Sequence, residues 1–138
     1  MSHKQRVKIS IIDEDPIFLS ALYHTLDSID SEIYPIELKT FSDGLLFIND
    51  EWSLSNQPQI IILNDFLPKK SGLELIQLLR KRPENKNDNI IMITQGISED
   101  DIIFAYKSGI DFHLRKPFSL RVFKARMESM IGRIGKYE

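Results

Sequence analysis

The chain has 138 residues, the size of one domain, and 42% of them are hydrophobic, which is enough to bury a core. Its formal charge of −2 argues against direct nucleic-acid binding, and the absence of cysteine excludes disulfides and thiolate chemistry. The longest strongly apolar run, Ile60–Leu63, is far shorter than the roughly 20 residues of a membrane span. We therefore expect a soluble cytoplasmic domain that neither enters a membrane nor binds nucleic acid directly.

Five short runs rich in β-branched and apolar residues alternate with amphipathic segments along the chain. The predicted strands are Val7–Ile12, Ile36–Phe41, Gln59–Leu63, Asn89–Thr94 and Asp111–Leu114. The third is too short for a helix and apolar on every side, as expected for a central strand that is covered on both faces. Because strands and helices alternate, the sequence predicts an α/β fold, a doubly wound five-stranded parallel sheet with helices on both faces.

Capping residues mark the predicted helix starts. These starts are Asp15-Pro16, Ser42-Asp43, Ser71, Ser98 and Ser119. In the fourth helix, Ile102, Ile103 and Tyr106 follow the cap at helical spacing, and Gly109 is well placed to end the helix.

The last helix is predicted over residues 119–136. Its apolar stripe comprises Phe123, Met127, Met130, Ile131 and Ile134, and basic residues occupy much of the remaining surface. The stripe continues about one turn beyond what covering a sheet requires. We therefore expect this helix either to meet a partner helix or to lead into an output domain.

Polar side chains follow four of the five predicted strands. They are Asp13-Glu14-Asp15, Asn64-Asp65, Thr94-Gln95 and Lys116. Because the functional cleft of such a sheet lies outside the carboxyl ends of its strands, we expect these side chains to meet at one rim. An adjacent pair of acids alone is usually a helix cap beside a solvated charge, but the ordered set is more specific. Carboxylates beside a backbone carbonyl also suit Mg²⁺, which keeps several of its waters.

The sequence resembles the receiver domain of two-component response regulators over essentially its whole length. The resemblance rests on I-I-D-E-D-P at 11–16, N-D-F-L-P at 64–68 followed by S-G-L-E-L, I-T at 93–94 and L-R-K-P-F at 114–118. It implies a flavodoxin-like receiver domain over residues 1–138 that is a signalling module and not an enzyme. It also implies a histidine kinase or another signalling protein as partner, and a homodimer through the fourth helix, fifth strand and fifth helix.

The resemblance assigns a role to each polar residue at the rim. It implies that Asp13 and Glu14 hold Mg²⁺ together with the backbone of Phe66. It further implies that Thr94 contacts the phosphoryl group and that Lys116 neutralises phosphoryl oxygens. The bond between Lys116 and Pro117 is expected to be cis, which is plausible only because proline follows.

Asn64 departs from the family pattern. Family members carry at this position an aspartate that accepts the phosphoryl group as an acyl phosphate, whereas an amide has no nucleophilic carboxylate oxygen. Asp65 is not expected to replace it, because adjacent residues at a strand end point to opposite sides. Two explanations stay open: Asn64 is native and the receiver is degenerate, or it is an engineered change in a normal Mg²⁺-dependent phosphoacceptor. A hydrolase that reuses the acidic rim would lack a nucleophile.

Three expectations follow for the chain as given. It should not be stably phosphorylated, it should bind Mg²⁺ only weakly, and Lys116 should be held by Asp13 and by the side-chain oxygen of Asn64.

His113 is the second departure, because the family usually has tyrosine or phenylalanine three residues before the lysine. One interpretation is a half-exposed ring on a short edge strand. The other is a switch ring that is coupled to the Thr94 hydroxyl and also titrates near neutrality, since free histidine has a pKa of about 6.5. Gln95, where the family usually has a small residue, is expected to crowd the mouth of the pocket.

Overall fold

The sheet contains five parallel strands in the order β2-β1-β3-β4-β5. The computed structural model describes residues 6–54 and 57–134. The strands are β1 (Val7–Ile12), β2 (Ile36–Phe41), β3 (Gln59–Asn64), β4 (Asn89–Thr94) and β5 (Phe112–Arg115). The helices are α1 (Pro16–Asp27), α2 (Gly44–Ile48), α3 (Gly72–Lys81), α4 (Glu99–Ser108) and α5 (Leu120–Ile134). The predicted doubly wound parallel sheet is confirmed, and its strand order is the flavodoxin-like one.

Two separate apolar clusters cover the two faces of the sheet. Alternate residues of β1 show the division, since Val7, Ile9 and Ile11 pack with α1 and α5, whereas Ile12 packs on the other face with α2, α3 and α4. The central strand β3 is buried over Gln59–Leu63, as predicted for a strand covered on both faces. None of the helices within the described ranges is both long enough and apolar enough to cross a membrane.

The helices begin where the capping residues predict. The Asp15 side chain accepts hydrogen bonds from the first turn of α1, and Ser71 forms a reciprocal capping box with Glu74 in α3. Ser98 caps α4, and Gly109 ends that helix with a φ of +124°. Because these bonds satisfy the free backbone groups at the helix ends, they fix where each loop of the rim begins.

Small boundary differences have local causes. The strand β3 extends one residue further than predicted, to Asn64, and β5 begins at Phe112 instead of Asp111. The Asp111 carboxylate accepts hydrogen bonds from the Ile90 backbone N–H at 2.7 Å and from Arg80 at 2.9 Å. This carboxylate therefore fixes the entry into β5 from outside the strand.

The apolar stripe of α5 is used within the domain itself. Phe123, Met127 and Ile131 are buried, and Met130 and Ile134 pack against the same cluster while partly exposed. The stripe as far as Ile134 therefore belongs to the domain's own core, and the expectation of an unused last turn is wrong for this part. The end of the predicted helix, residues 135–136, lies outside the described residues.

Candidate functional site

The carboxyl ends of the strands bring most of the predicted polar residues to one rim. Asp13 directly follows β1, Asn64 ends β3, Thr94 ends β4 and Lys116 follows β5. The parallel pairing of β1 with β3, of β3 with β4 and of β4 with β5 places these four positions side by side. The predicted convergence is therefore a consequence of the strand order.

A hydrogen bond joins Asp13 to Asn64 at the centre of the rim. Asp13 is 3% exposed, and its Oδ2 accepts from the Asn64 side-chain N–H at 3.1 Å, while its Oδ1 accepts from the Asp15 backbone N–H at 2.9 Å. Asn64 Oδ1 accepts in turn from the backbone N–H of Phe66 at 3.0 Å. The amide thus donates on one side and accepts on the other. An ionised carboxylate in its place has no hydrogen to donate.

The expectation for Lys116 is half correct. Its Nζ lies 3.9 Å from Asp13 Oδ2, as predicted, but the side-chain oxygen of Asn64 is bonded to the Phe66 backbone instead. The Lys116 ammonium lies 3.7 Å from the centre of the Phe18 ring on α1, a cation–π contact. The Lys116–Pro117 peptide bond is cis, as predicted.

Phe18 is the residue of this site that sequence reasoning missed. Its helical spacing assigns it to the core, and it does pack edge-on against Phe118 with ring centres 6.1 Å apart. Nothing in the spacing indicates that the same ring also faces an ammonium group. The Lys116 ammonium group therefore lies between the Asp13 carboxylate and the face of the Phe18 ring.

The oxygen donors available to a metal are few. Glu14 is exposed, and both oxygens of the buried Asp13 already accept hydrogen bonds. Over residues 6–54 and 57–134, no group of three or more histidine, cysteine, aspartate or glutamate side chains is arranged to hold a metal ion. Two carboxylates and a backbone carbonyl fit a Mg²⁺ ion that keeps most of its waters, but they do not form a closed cage.

Asp65, the residue after Asn64, lies on the side of the rim that faces α3 and α4. It lines a separate groove between α3 and α4 together with Met92, Ile97 and Phe104. Burial raises the pKa of its carboxyl group, and this shift is partly offset by hydrogen bonds from backbone N–H groups and by the nearby Lys116 and His113 side chains. Asp65 is thus a second carboxylate within electrostatic reach of Lys116 and His113, one residue beyond the position of Asn64.

Gly72 sets how closely α3 approaches the rim. A Cβ at this position would lie 2.6 Å from the backbone oxygen of Asn64 and 2.8 Å from Cα of Asp65. Since both are backbone atoms, neither can move aside without shifting the strand end. The glycine therefore lets the helix start directly against the residue that carries the central amide.

Thr94 and His113 form a second pair beside the first. Thr94 is 1% exposed, and its Oγ1 is hydrogen bonded to Nε2 of the half-buried His113 ring. The backbone N–H of His113 donates to the Tyr106 hydroxyl on α4 at 3.0 Å. Burial lowers the pKa of the His113 imidazole, and the neighbouring Asp65 carboxylate opposes this shift. The His113 ring is thus both half-buried and hydrogen bonded to Thr94, and Gln95 is exposed at the rim.

The chain matches the family described as response regulator receiver domain over residues 9–128. It is 34% identical over 103 residues to the phosphate regulon transcriptional regulatory protein PhoB of Rhizobium meliloti, covering 72% of this chain and 45% of that protein. The chain thus spans under half of the length of the curated relative that it matches.

Solved receiver structures show the same fold. The BeF3-activated receiver domain of DrrB, a Thermotoga maritima protein, is 25% identical with a TM-score of 0.74, covering 92% of this chain and 98% of that one. The receiver domain of the Pseudomonas aeruginosa sensor histidine kinase PA1611, with a magnesium ion coordinated in its active-site cleft, is 16% identical with a TM-score of 0.68, covering 94% and 98%. The family model matches most of this chain, and the chain shares its fold with solved receiver domains. The chain therefore belongs to the response regulator receiver domain family and is a receiver module of the two-component type.

Proposed function

We propose that this chain is a receiver that transmits its signal through protein contacts, is not an enzyme and is not phosphorylated at position 64. The observation that carries the proposal is the Asn64 side chain at the end of β3, which donates to Asp13 where a phosphoacceptor would present a carboxylate. An amide cannot attack phosphorus to give an acyl phosphate. The nearest substitute carboxylate, that of Asp65, lines the groove between α3 and α4, so the test below includes it.

The remaining residues support a weak magnesium site. Asp13, Glu14 and the backbone carbonyl of Phe66 would hold the ion, which would supply positive charge beside a bound phosphoryl or phosphate oxygen. Magnesium dehydrates reluctantly and needs near-octahedral oxygens, so the exchange of one carboxylate for an amide should weaken its binding. The receiver of PA1611, which shares the fold, is described with a magnesium ion in its active-site cleft.

Thr94, Lys116 and His113 are proposed to respond to an anion at the rim. Lys116 offers a positive charge, the Thr94 hydroxyl offers a hydrogen bond, and the His113 ring transmits the position of that hydroxyl to β5. Such a response needs no covalent phosphoacceptor. It is therefore compatible with asparagine at position 64.

The proposed partners are a histidine kinase or another signalling protein, and a second copy of the chain. The surface of α4 supports the homodimer, since Ile103, Phe104 and Tyr106 are 45%, 52% and 43% exposed, and Val122 at the start of α5 is 61% exposed. That residues 1–138 form one receiver domain whose last helix leads into an output domain also stays a proposal. The greater length of the PhoB relative supports it.

A normal phosphoacceptor with an engineered change at position 64 is the second candidate. The observation that favours it is that Asp13, Glu14, Thr94 and the cis-linked Lys116 all follow or end strands at the rim, in the order that the family pattern implies. The coding sequence of the natural gene at this position separates the two candidates directly.

The proposal is tested by phosphorylation with acetyl phosphate or a phosphorylated histidine kinase in the presence of Mg²⁺. We expect no acid-labile adduct on the wild-type chain by intact-mass measurement, and labelling of the Asn64→Asp variant. The Asn64→Ala variant is the matched control, because it also lacks a carboxylate and should stay unlabelled. An adduct on the wild-type chain, on Asp65 or elsewhere in the pocket, would overturn the proposal.

A further inference from the structure

Two hydrogen bonds connect the interior of the rim to the surface helix α4. The first joins the buried Thr94 hydroxyl to the His113 ring, and the second joins the His113 backbone N–H to the Tyr106 hydroxyl at 3.0 Å. Tyr106 lies in the last turns of α4 and is 43% exposed. Both bonds meet at one residue, so a change at His113 reaches the end of β4 and the outer helix together.

Polar and charged groups approach His113 from four parts of the fold. Asp65 faces it from the loop after β3, Arg115 lies further along β5, and Thr94 contacts it from the end of β4. On α4 the Tyr106 hydroxyl accepts from the His113 backbone N–H and not from the ring, and Asp101 lines the same groove as Asp65. The ring is thus within reach of one carboxylate but has no ion-pair partner among the described residues.

The charge state of the ring changes what Thr94 can do. A neutral imidazole has one nitrogen that accepts and one that donates, so Nε2 can accept the Thr94 hydroxyl hydrogen. In the doubly protonated ring both nitrogens donate, and the Thr94 hydrogen must then turn away from His113 toward another acceptor. A half-buried cation is also drawn toward water and toward Asp65.

We propose that a proton taken up by His113 is an input to this receiver, which reverses the Thr94–His113 hydrogen bond and, through the His113–Tyr106 bond, shifts the end of α4 against β5. The inference rests on the proposed function, because it gives a site without a phosphoacceptor its own means of changing state. It also assigns Tyr106 as the positioning residue that passes the change to the exposed helix.

The proton uptake falls on the acid side of neutrality. Burial lowers the pKa of the His113 imidazole, and the Asp65 carboxylate opposes but does not cancel that effect. The neutral form, in which Nε2 accepts from Thr94, is therefore the main one at neutral pH, and the protonated form gains population below the ordinary histidine pKa of about 6.5.

The test is an NMR pH titration of the full chain without phosphodonor or Mg²⁺. It follows the imidazole signals of His113 and of the exposed His24 on α1, the backbone amide of Thr94 and the amides from Ala105 to Gly109. We expect Thr94 and the α4 amides to shift with the midpoint of the His113 ring, which should lie below the ordinary histidine value of about 6.5. The imidazole nitrogen shifts report which nitrogen carries the proton in the neutral form, and a neutral ring protonated on Nε2 would overturn the reversal of the hydrogen bond.

Three variants test the Thr94–His113 and His113–Tyr106 hydrogen bonds separately. His113→Gln should abolish the pH-dependent shifts of Thr94 and α4, and the control His24→Gln should leave them unchanged. Tyr106→Phe should leave the ring titrating and Thr94 responding, while the α4 shifts are lost. Unchanged amide signals of β1 show that each variant is folded.

Two outcomes would overturn the inference: α4 shifts that persist in His113→Gln, or a His113 titration in the wild-type chain that α4 does not follow. Phosphorylation of the chain in the separate labelling experiment would refute the proposed function. Because the pH titration contains no phosphodonor, its midpoints do not depend on that result, so the two failures are distinguishable.

Discussion

The Asn64 side chain donates a hydrogen bond to the buried carboxylate of Asp13 at 3.1 Å, which joins the end of β3 to the end of β1. In a receiver that carries aspartate at this position, two carboxylates would face each other here. The amide removes that repulsion and replaces it with an attractive contact. We therefore expect the rim of this chain to depend less on a metal ion than the rim of such a receiver does.

The Asn64→Asp variant should therefore be less stable than the wild-type chain when Mg²⁺ is absent. It loses the donated hydrogen bond and gains a like charge beside Asp13, a loss of about 1–2 kcal/mol in the free energy of unfolding. Adding Mg²⁺ at several millimolar should return much of this loss, because a ligand that binds only the native state stabilises it by RT ln(1 + [L]/Kd). Thermal and urea denaturation of both proteins, with and without Mg²⁺, measures the effect.

The Asn64→Ala variant separates the two contributions. It removes the hydrogen bond without adding a charge, so it should be destabilised without gaining a response to Mg²⁺. Equal Mg²⁺-induced shifts in melting temperature for the wild-type and Asn64→Asp proteins would mean that position 64 does not govern the metal site.

Magnesium affinity itself should rise when the carboxylate is restored. The wild-type rim offers one exposed glutamate and one aspartate whose two oxygens already accept hydrogen bonds. Isothermal titration calorimetry should therefore show weaker binding to the wild-type chain than to Asn64→Asp, and Asp13→Asn should weaken it in both backgrounds. Sub-micromolar binding of Mg²⁺ by the wild-type chain would contradict the assignment.

The positions of the rim residues could be predicted because they depend on strand order. Once β1, β3, β4 and β5 are parallel neighbours, Asp13, Asn64, Thr94 and Lys116 must come together. The pattern of apolar residues sets the strands, and the polar residue after each strand is then placed without further information.

The hydrogen-bond partners within the rim could not be predicted in the same way. Asn64 could bond to Lys116 or to the Phe66 backbone, and the choice depends on side-chain geometry that the sequence does not encode locally. The same holds for the Phe18 ring, which serves the core and Lys116 together, and for the Tyr106 hydroxyl, which bonds to the backbone of another element. These contacts join residues that are distant in sequence, so no local pattern marks them.

Replacing Asp65 by asparagine should stabilise the domain at neutral pH. The pKa of Asp65 is raised by burial, so its folded pKa lies above the unfolded value near 3.8. When folding raises the pKa of a group, the contribution of that group to the free energy of unfolding is fully present below its pKa in the unfolded chain. The contribution is lost as the pH rises through its pKa in the folded protein. The ionised carboxylate therefore costs stability at pH 7, about 0.5 kcal/mol after allowance for solvent screening.

Urea denaturation at two pH values checks this prediction. Asp65→Asn should be more stable than the wild-type chain at pH 7, and the difference should vanish near pH 3.5 if both proteins remain folded there. Because the Asp65 carboxylate raises the pKa of His113, the same variant should also lower the midpoint of the His113 titration. A midpoint that rises in Asp65→Asn would show that the carboxylate does not act on the ring.

Gly109→Ala should destabilise the domain more than Gly96→Ala, although both glycines have a positive φ. The values are +124° for Gly109 and +76° for Gly96, and an added Cβ at Gly96 would meet no atom within 4 Å. At Gly109 it would lie 2.6 Å from Cγ of Arg80, whose Nε donates to the Gly109 carbonyl at 2.8 Å. We expect a loss of about 1 kcal/mol for Gly96→Ala from backbone strain alone and about 2–3 kcal/mol for Gly109→Ala.

The Arg80→Ala variant tests whether the arginine causes the difference. Arg80 also pairs with Asp111 at 2.9 Å, so Arg80→Ala alone should destabilise the junction between α3, α4 and β5. In the double variant Arg80→Ala, Gly109→Ala the added Cβ no longer meets the arginine side chain. Only the backbone strain at position 109 should then add to the loss from Arg80→Ala. The combined loss measured by urea denaturation should therefore be smaller than the sum of the two single losses, since contacting residues couple. Strictly additive losses would place the cost of Gly109→Ala in its backbone conformation and not in its contact with Arg80.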